Sequence, residues 1–311
     1  MTQCTRDELT FQPLGSRDGL ARFDGATVTS DAGGLLLREV KAKFPVLDLF
    51  PRCFTDFRDP DQTAHTLGQL LKQRVFALGL GYEDLHDPDT LRHDPLLAAR
   101  VGKPDPTGSD RRRRADRGQA LAGKSTLNRL ERTPVRAKAT SRYNKVVAHR
   151  DRRQAFFAEA FLQQYRVPPA RIVLDLDTTD CELHGHPLGR FFHGSYDADC
   201  YLPLYIFCGD HALLALLRPS HIDASAGAGK HRARIIARIR AAWPGGQILV
   251  RGDSGVAREH LMAWCEAHGV NYLFGLAKNS RLLHALAAEL AQAQERFTQT
   301  GQAARVFKDC T

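Results

Sequence analysis

At 311 residues the chain is long enough for about two domains at ~150 residues each. Its 43% hydrophobic and 25% charged residues give each domain a core and exclude a disordered chain or a disulfide-dense miniature. The longest apolar runs, such as 212–217, fall far short of the ~20 residues that span a membrane, and the polar start over 1–14 has no export-signal pattern. A cytoplasmic protein with reduced thiols is expected, because the seven cysteines include no C-x-x-C pair and suggest neither a disulfide framework nor a ribbon-type zinc site. The net charge is +9, and one segment carries the whole excess. Residues 100–153 hold seventeen Lys or Arg against five Asp or Glu, a balance of +12 that leaves −3 for the remainder. A basic excess confined in this way points to a polyanion, most often nucleic acid.

In chain order, residues 1–28 read as an irregular or extended lead-in ending at 23–28. Ser30 and Asp31 are suitable caps for a helix through Leu35, Leu36, Leu37 and Val40. A second helix is expected over 61–78, where Leu67, Leu70, Leu71, Val75 and Leu78 recur at spacings of three and four. Short helical pieces over 82–97 are punctuated by Pro88 and Pro95, and 103–117 is a charged loop containing the run Arg111, Arg112, Arg113 and Arg114. Helices are expected at 125–132 and 144–165, and Pro168 and Pro169 close this mainly helical region. Beyond it the pattern changes. Strands are expected at 171–176, 201–208, 213–217, 247–250 and 270–274, with helices at 230–243, 257–268 and 282–297. Three sequential strands followed by alternating helix and strand imply a mixed sheet with helices on its faces.

Gly118 to Ser125 fits the literal phosphate-loop pattern G-x-x-x-x-G-K-[ST], with Lys124 as the phosphate lysine. That pattern has meaning only between a hydrophobic strand and a helix, and an arginine run precedes it here. A P-loop NTPase is therefore the weaker alternative, and a loop ending in a helix cap the simpler reading. In the second half, Asp175 and Asp177 alternate with Leu174 and Leu176 and so share one face of a strand. Asp253 follows another strand, 76 positions after Asp177. Two strands and a helix between them allow a right-handed crossover that brings the second strand beside the first. Acids at the carboxyl ends of neighbouring strands converge in the crevice where sheet sites form, and converging carboxylates bind hard divalent cations through oxygen. A structural alternative stays open, in which Asp175 or Asp180 serves a turn and Asp253 caps a helix. Cys181, His184, His186, His193, Cys200, Cys208 and His211 match no closed zinc pattern. Ser254 lacks the final glycine of a nucleophile elbow, Val256 standing there. The aromatics Phe191, Phe192, Tyr196, Tyr201 and Tyr205 read as core or sheet packing, with stacking on bases the alternative.

Several motifs together carry a family resemblance. They are Arg22-Phe23-Asp24-Gly25 leading to Thr29-Ser30-Asp31-Ala32-Gly33, Gly81-Tyr82-Glu83-Asp84 leading to Leu91-Arg92-His93-Asp94-Pro95, and Ser125-Thr126-Leu127-Asn128-Arg129-Leu130-Glu131. Next come Leu174-Asp175-Leu176-Asp177-Thr178-Thr179-Asp180 with His184-Gly185, and Gly189-Arg190-Phe191-Phe192-His193-Gly194 running into Tyr196-Asp197 and Cys200-Tyr201-Leu202-Pro203-Leu204-Tyr205. The last are Arg251-Gly252-Asp253-Ser254-Gly255 and Phe274-Gly275-Leu276-Ala277-Lys278-Asn279. The chain resembles the DDE transposases of the insertion-sequence 1380 family. The resemblance implies an α/β chain made of a mainly helical DNA-binding region, 1–169, and an incomplete ribonuclease H-like mixed β-sheet domain flanked by helices, 170–311. It implies metal-dependent DNA strand cleavage and transfer with Mg²⁺ or Mn²⁺, Asp177 as the first metal-binding acid with Asp175 its close rival, and Asp253 as the second. The family's third acid, a Glu on a late helix, has no counterpart, and neither Glu289 nor Glu295 is assigned. A truncated or frameshifted transposase is expected, with a non-catalytic DNA-binding remnant as the alternative reading. Double-stranded DNA, both transposon ends and target, is the expected partner, met by Arg111, Arg112, Arg113, Arg114, Lys124, Arg129 and Arg132. A homo-oligomer, a nucleoid-associated location and no membrane complete the expectation.

Overall fold

The computed structural model describes residues 8–14, 17–22, 31–43, 46–132 and 138–309. The lead-in over 23–28 and the cap at Ser30 lie outside the described residues. The chain divides into two compact units, 1–164 and 165–311.

The first unit begins with an antiparallel hairpin, β1 (Glu8–Leu14) and β2 (Arg17–Arg22), which pairs Glu8 with Arg22 and Leu14 with Arg17. Helices α1 (Gly34–Lys43) and α2 (Val46–Leu49) follow, then β3 (Phe54–Asp56), α3 (Leu67–Gly79), α4 (Asp87–Leu91), α5 (Pro95–Val101), α6 (Lys124–Glu131), β4 (Val146–Ala148) and α7 (Arg150–Gln164). Helix α3 starts later than the apolar spacing suggests. Pro60–Gln62 forms a separate 3-10 turn, and Thr66 caps α3 in a reciprocal box with Gln69. Asp94 caps α5, with Pro95 at its first position and Gly102 left-handed at its end. The expected helix over 144–165 is a strand and a helix instead. The β-branched pair Val146 and Val147 is buried in β4, paired with Asp56 and Thr55 of β3, and α7 begins only at Arg150. Two core clusters meet along α3. Phe76 and Ala77 pack with Leu91, Leu97 and Leu121, while Leu70 and Leu71 pack with Leu127, Leu130 and Val146.

The second unit is built on β5 (Arg171–Thr178). The chain continues through β6 (Cys181–Glu182), β7 (Phe191–His193), β8 (Ala198–Tyr201), β9 (Leu204–Cys208), β10 (His211–Leu216), α8 (Ala228–Ala242), β11 (Gln247–Gly252), α9 (Glu259–Ala267), β12 (Asn271–Phe274), α10 (Ser280–Ala285) and α11 (Ala287–Thr300). The expected strand over 201–208 is divided by Leu202 and Pro203, because proline has no N–H for the ladder. Its two parts join different sheets, β8 between β6 and β7, and β9 in the main sheet. The expected final helix is broken at Leu286.

The main sheet has the order β10-β9-β5-β11-β12. Strand β9 runs antiparallel to both β10 and β5, whereas β11 is parallel to both β5 and β12. The sheet is therefore mixed, and β5 lies at the junction of its two halves. Ile172, Leu174 and Leu176 are fully buried while Val173, Asp175 and Asp177 are not, so β5 has one packed and one open face. Ile206, Ile248 and Val250 extend the packed layer, with Ile235, Ile236 and Ile239 of α8 and Leu261 of α9 also buried. No helix among the described residues is long and apolar enough to cross a membrane.

Candidate active site and basic segment

The acid pair sits where the parallel half of the sheet begins. Strand β11 pairs with β5 in parallel register, Arg251 opposite Asp175 and Gly252 opposite Leu176. One step further along both chains come Asp177 and Asp253, at the carboxyl ends of strands about 4.8 Å apart. The two aspartates of β5 have different surroundings. Asp175 receives a two-pronged ion pair from its cross-strand neighbour, Arg251 Nε to Oδ1 at 2.6 Å and Nη2 to Oδ2 at 2.8 Å. Asp177, exposed at the strand end, lies opposite Tyr205 of β9.

Asp253 is held by the loop that it opens. The Gly255 amide donates to Asp253 Oδ1 at 2.9 Å. Two glycines make room for this loop. A Cβ at Gly252 would overlap the buried Val256 side chain, and one at Gly275 would lie 3.3 Å from the Ser254 amide. The Gly275 amide also donates to Gly252 O at 2.9 Å, which ties β12 to the start of the loop. The glycines of Arg251-Gly252-Asp253-Ser254-Gly255 and Phe274-Gly275 thus have a steric reason.

Tyr196 joins this site from the tip of the β7–β8 hairpin, where Asp197 adopts a left-handed φ of 51°. Partial burial, and then the charges of Asp180, Asp177 and Asp253, push the Tyr196 hydroxyl above its ordinary pKa. The sequence offers Tyr196 as packing or a base-stacking ring and Asp180 as an alternative turn residue, and does not show that three carboxylates act on one phenol. Their meeting depends on a hairpin whose register no local spacing reveals. The three do not close into a tight cluster. Among the described residues no three His, Cys, Asp or Glu side chains group closely enough to hold a metal ion. On α11, Glu289 pairs with Lys308 at 3.2 Å and Glu295 accepts from Gln299 at 3.1 Å.

The basic segment belongs to the first unit. Arg111, Arg112, Arg113 and Arg129 line one cavity of about 1080 Å³, and Arg114, Lys124 and Arg132 lie outside its lining. Helix α6 buries Leu127 and Leu130 and leaves Lys124, Ser125 and Arg129 exposed. The P-loop pattern is not a phosphate loop here. A 3-10 turn, Arg114–Asp116, stands before it in place of a strand. The amides of Gly118, Gln119, Leu121, Ala122 and Lys124 donate to Gly108 O, Asp116 O, Arg92 O, Gln73 Oε1 and Asp89 Oδ1. The buried Gln73 also donates to Ala122 O at 2.7 Å, clamping the segment from both sides.

No curated protein matches the chain. The chain is similar to a solved structure described as the Mos1 transposase paired-end complex with left transposon end, at 11% identity over 92% of this chain and 78% of that one. The TM-score is 0.26, too low for the likeness to define the fold. The family model described as Transposase DDE domain group 1 matches residues 11–311. With nearly its whole length matched, the chain belongs to the group 1 DDE transposase domain family.

Proposed function

We propose that the chain acts on DNA as a metal-dependent strand-cleavage and strand-transfer enzyme, with Asp177 and Asp253 as two of its metal-holding acids. The observation that supports this reading is the register of β5 and β11, in which Gly252 stands opposite Leu176, so that Asp253 and Asp177 each come one residue later on neighbouring parallel strands. The mixed sheet, with the acids at the ends of its two central parallel strands, supports a ribonuclease H-like domain. The motifs around both acids support the insertion-sequence 1380 family within the broader one.

The donor set fits a hard cation. Carboxylates bind Mg²⁺ and Mn²⁺ through oxygen, and the negative field already felt by Tyr196 is what a divalent ion would offset. When bound, the ion supplies Lewis acidity and a more acidic water or 3′-hydroxyl for attack on a phosphodiester. The chain's own residues orient that chemistry. The Gly255 amide fixes the Asp253 carboxylate. The Arg251 guanidinium occupies both oxygens of Asp175, so Asp175 braces the strand pair and Asp177 is the ligand. Double-stranded DNA is the substrate on this reading.

The test is Mn²⁺ titration of the full chain, followed by electron paramagnetic resonance, with nicking of supercoiled DNA as the activity readout. Asp253→Asn should remove the bound signal and any nicking. Unaltered Mn²⁺ binding in the double variant Asp177→Asn, Asp253→Asn would refute the assignment.

A further inference from the structure

The first unit contains a cavity of about 1080 Å³ whose lining includes nine Lys or Arg and five Asp side chains. Only part of it belongs to the basic segment. Its inner wall brings Arg58 and His65, both from well before that segment, against Lys103 and Arg111. Arg111 Nη1 lies 3.1 Å from His65 Nε2, Arg58 Nη1 donates to His65 O at 3.1 Å, and Lys103 Nζ donates to Ala64 O at 2.9 Å. Lys103 and His65 are each only 7% exposed. Three cations therefore meet around one imidazole. Burial, with these charges, pushes His65 down to about 3, and burial with Arg111 pushes Lys103 down to about 8. Polar groups here remain without partners, namely His65 Nδ1, Arg111 Nε and Arg92 Nε. The cations gathered on this wall favour an anion in the cavity.

Two further features give that anion a context. Helix α6 presents its amino end to the cavity through Gly123, Ser125 and Thr126, where the Asp89 carboxylate accepts from the Lys124 amide at 3.0 Å. A helix amino end favours negative charge. At the rim stands Tyr143, 61% exposed, with the Arg142 guanidinium 5.2 Å from its ring centroid. Cations interleaved with an open aromatic ring are how single strands are held, phosphates on the charges and a base on the ring. The volume suits a few nucleotides of one strand. Of the five acids, Asp89 is committed to the Lys124 amide, Asp59 to the Asp61 amide and Asp116 to Arg111.

We propose that this cavity is a single-strand site, which seats a backbone phosphate against Lys103 and Arg111 and stacks a base on Tyr143. It rests on the reading of the chain as a DNA-processing enzyme and adds to it a place for an unpaired end. Three probes test it on the full chain without added metal: a labelled single-stranded 12-mer, its duplex, and inorganic phosphate as competitor. Tyr143→Ala, which removes an exposed ring, should weaken single-strand binding about fivefold to a hundredfold and leave the duplex within about twofold. Arg129→Gln should weaken the single strand as well. Equal losses for both DNA forms in Tyr143→Ala, or an unchanged single-strand affinity in both variants, would overturn the site. Displacement of the 12-mer by phosphate at equal phosphate concentration would also overturn it, because the cavity would then be a pocket for a free anion. A wild-type chain that binds duplex but no single strand ends this inference and leaves the proposed function intact. A chain that binds neither form counts against both.

Discussion

His65 shows how a residue's state is set by distant partners. Its folded pKa of about 3 lies below the ordinary 6.5. Between those values the unfolded chain holds a proton that the folded chain refuses, so stability falls as pH drops from 6.5. Lys103 behaves in the same sense at higher pH. Its folded value of about 8 lies below 10.5, and stability is lost as pH falls from 10.5 towards 8. The depressed carboxylates Asp48, Asp56 and Asp89 contribute only as pH falls below about 5, which leaves pH 5–6.5 to His65. We therefore expect the melting temperature to drop between pH 7.5 and 5.5, and His65→Gln to flatten that slope, as read by circular dichroism. A slope identical in the variant would mean that other groups govern this window. None of this was legible in the sequence. His65 is one of thirteen histidines, and its cationic neighbours Arg58 and Arg111 stand 7 and 46 positions away. Arg100 and Lys103 were counted in the basic segment, yet both are buried, so the +12 overstates the charge on display.

At the scale of the element, β5 was the most legible part of the chain. Its strict alternation separated Ile172, Leu174 and Leu176 from Val173, Asp175 and Asp177, and the burial follows that division. Leu174→Ala should cost about 2–5 kcal/mol by opening a cavity in a fully buried layer. Asp175→Asn should cost less than about 1 kcal/mol, because its pair with Arg251 is partly exposed. It should also leave Mn²⁺ binding within about twofold, whereas Asp177→Asn abolishes it. The opposite order in a Mn²⁺ titration would make Asp175 the ligand. Elements without so clear a period were misread. In β4 the two valines precede a helix whose apolar residues continue the spacing, and only the distant pairing with β3 decides for a strand. The Leu202-Pro203 break was visible as a residue but not as a change of sheet, since the destination of β8 is set by β6 and β7.

At the scale of the whole molecule, charge and core are distributed unequally between the two units. Residues 1–164 carry 28 Lys or Arg against 21 Asp or Glu, and residues 165–311 carry 16 against 14. The cavity in the first unit left no trace in the sequence because its walls come from Arg58 to Lys145. The first unit has its own two core clusters, and the main sheet lies wholly in the second. DNA affinity and metal affinity should therefore separate on dissection. A fragment of residues 1–164 should bind DNA, and one of residues 165–311 should bind Mn²⁺ without DNA. Each neutralised phosphate adds about −0.9 to the slope of log K against log salt. The 1–164 fragment should then keep the slope of the full chain to within about one phosphate contact. A slope that collapses in the fragment would place the phosphate contacts on the second unit, against a net charge there of only +2. In that case cations of the second unit, such as Arg251 of β11, would have to carry the strand.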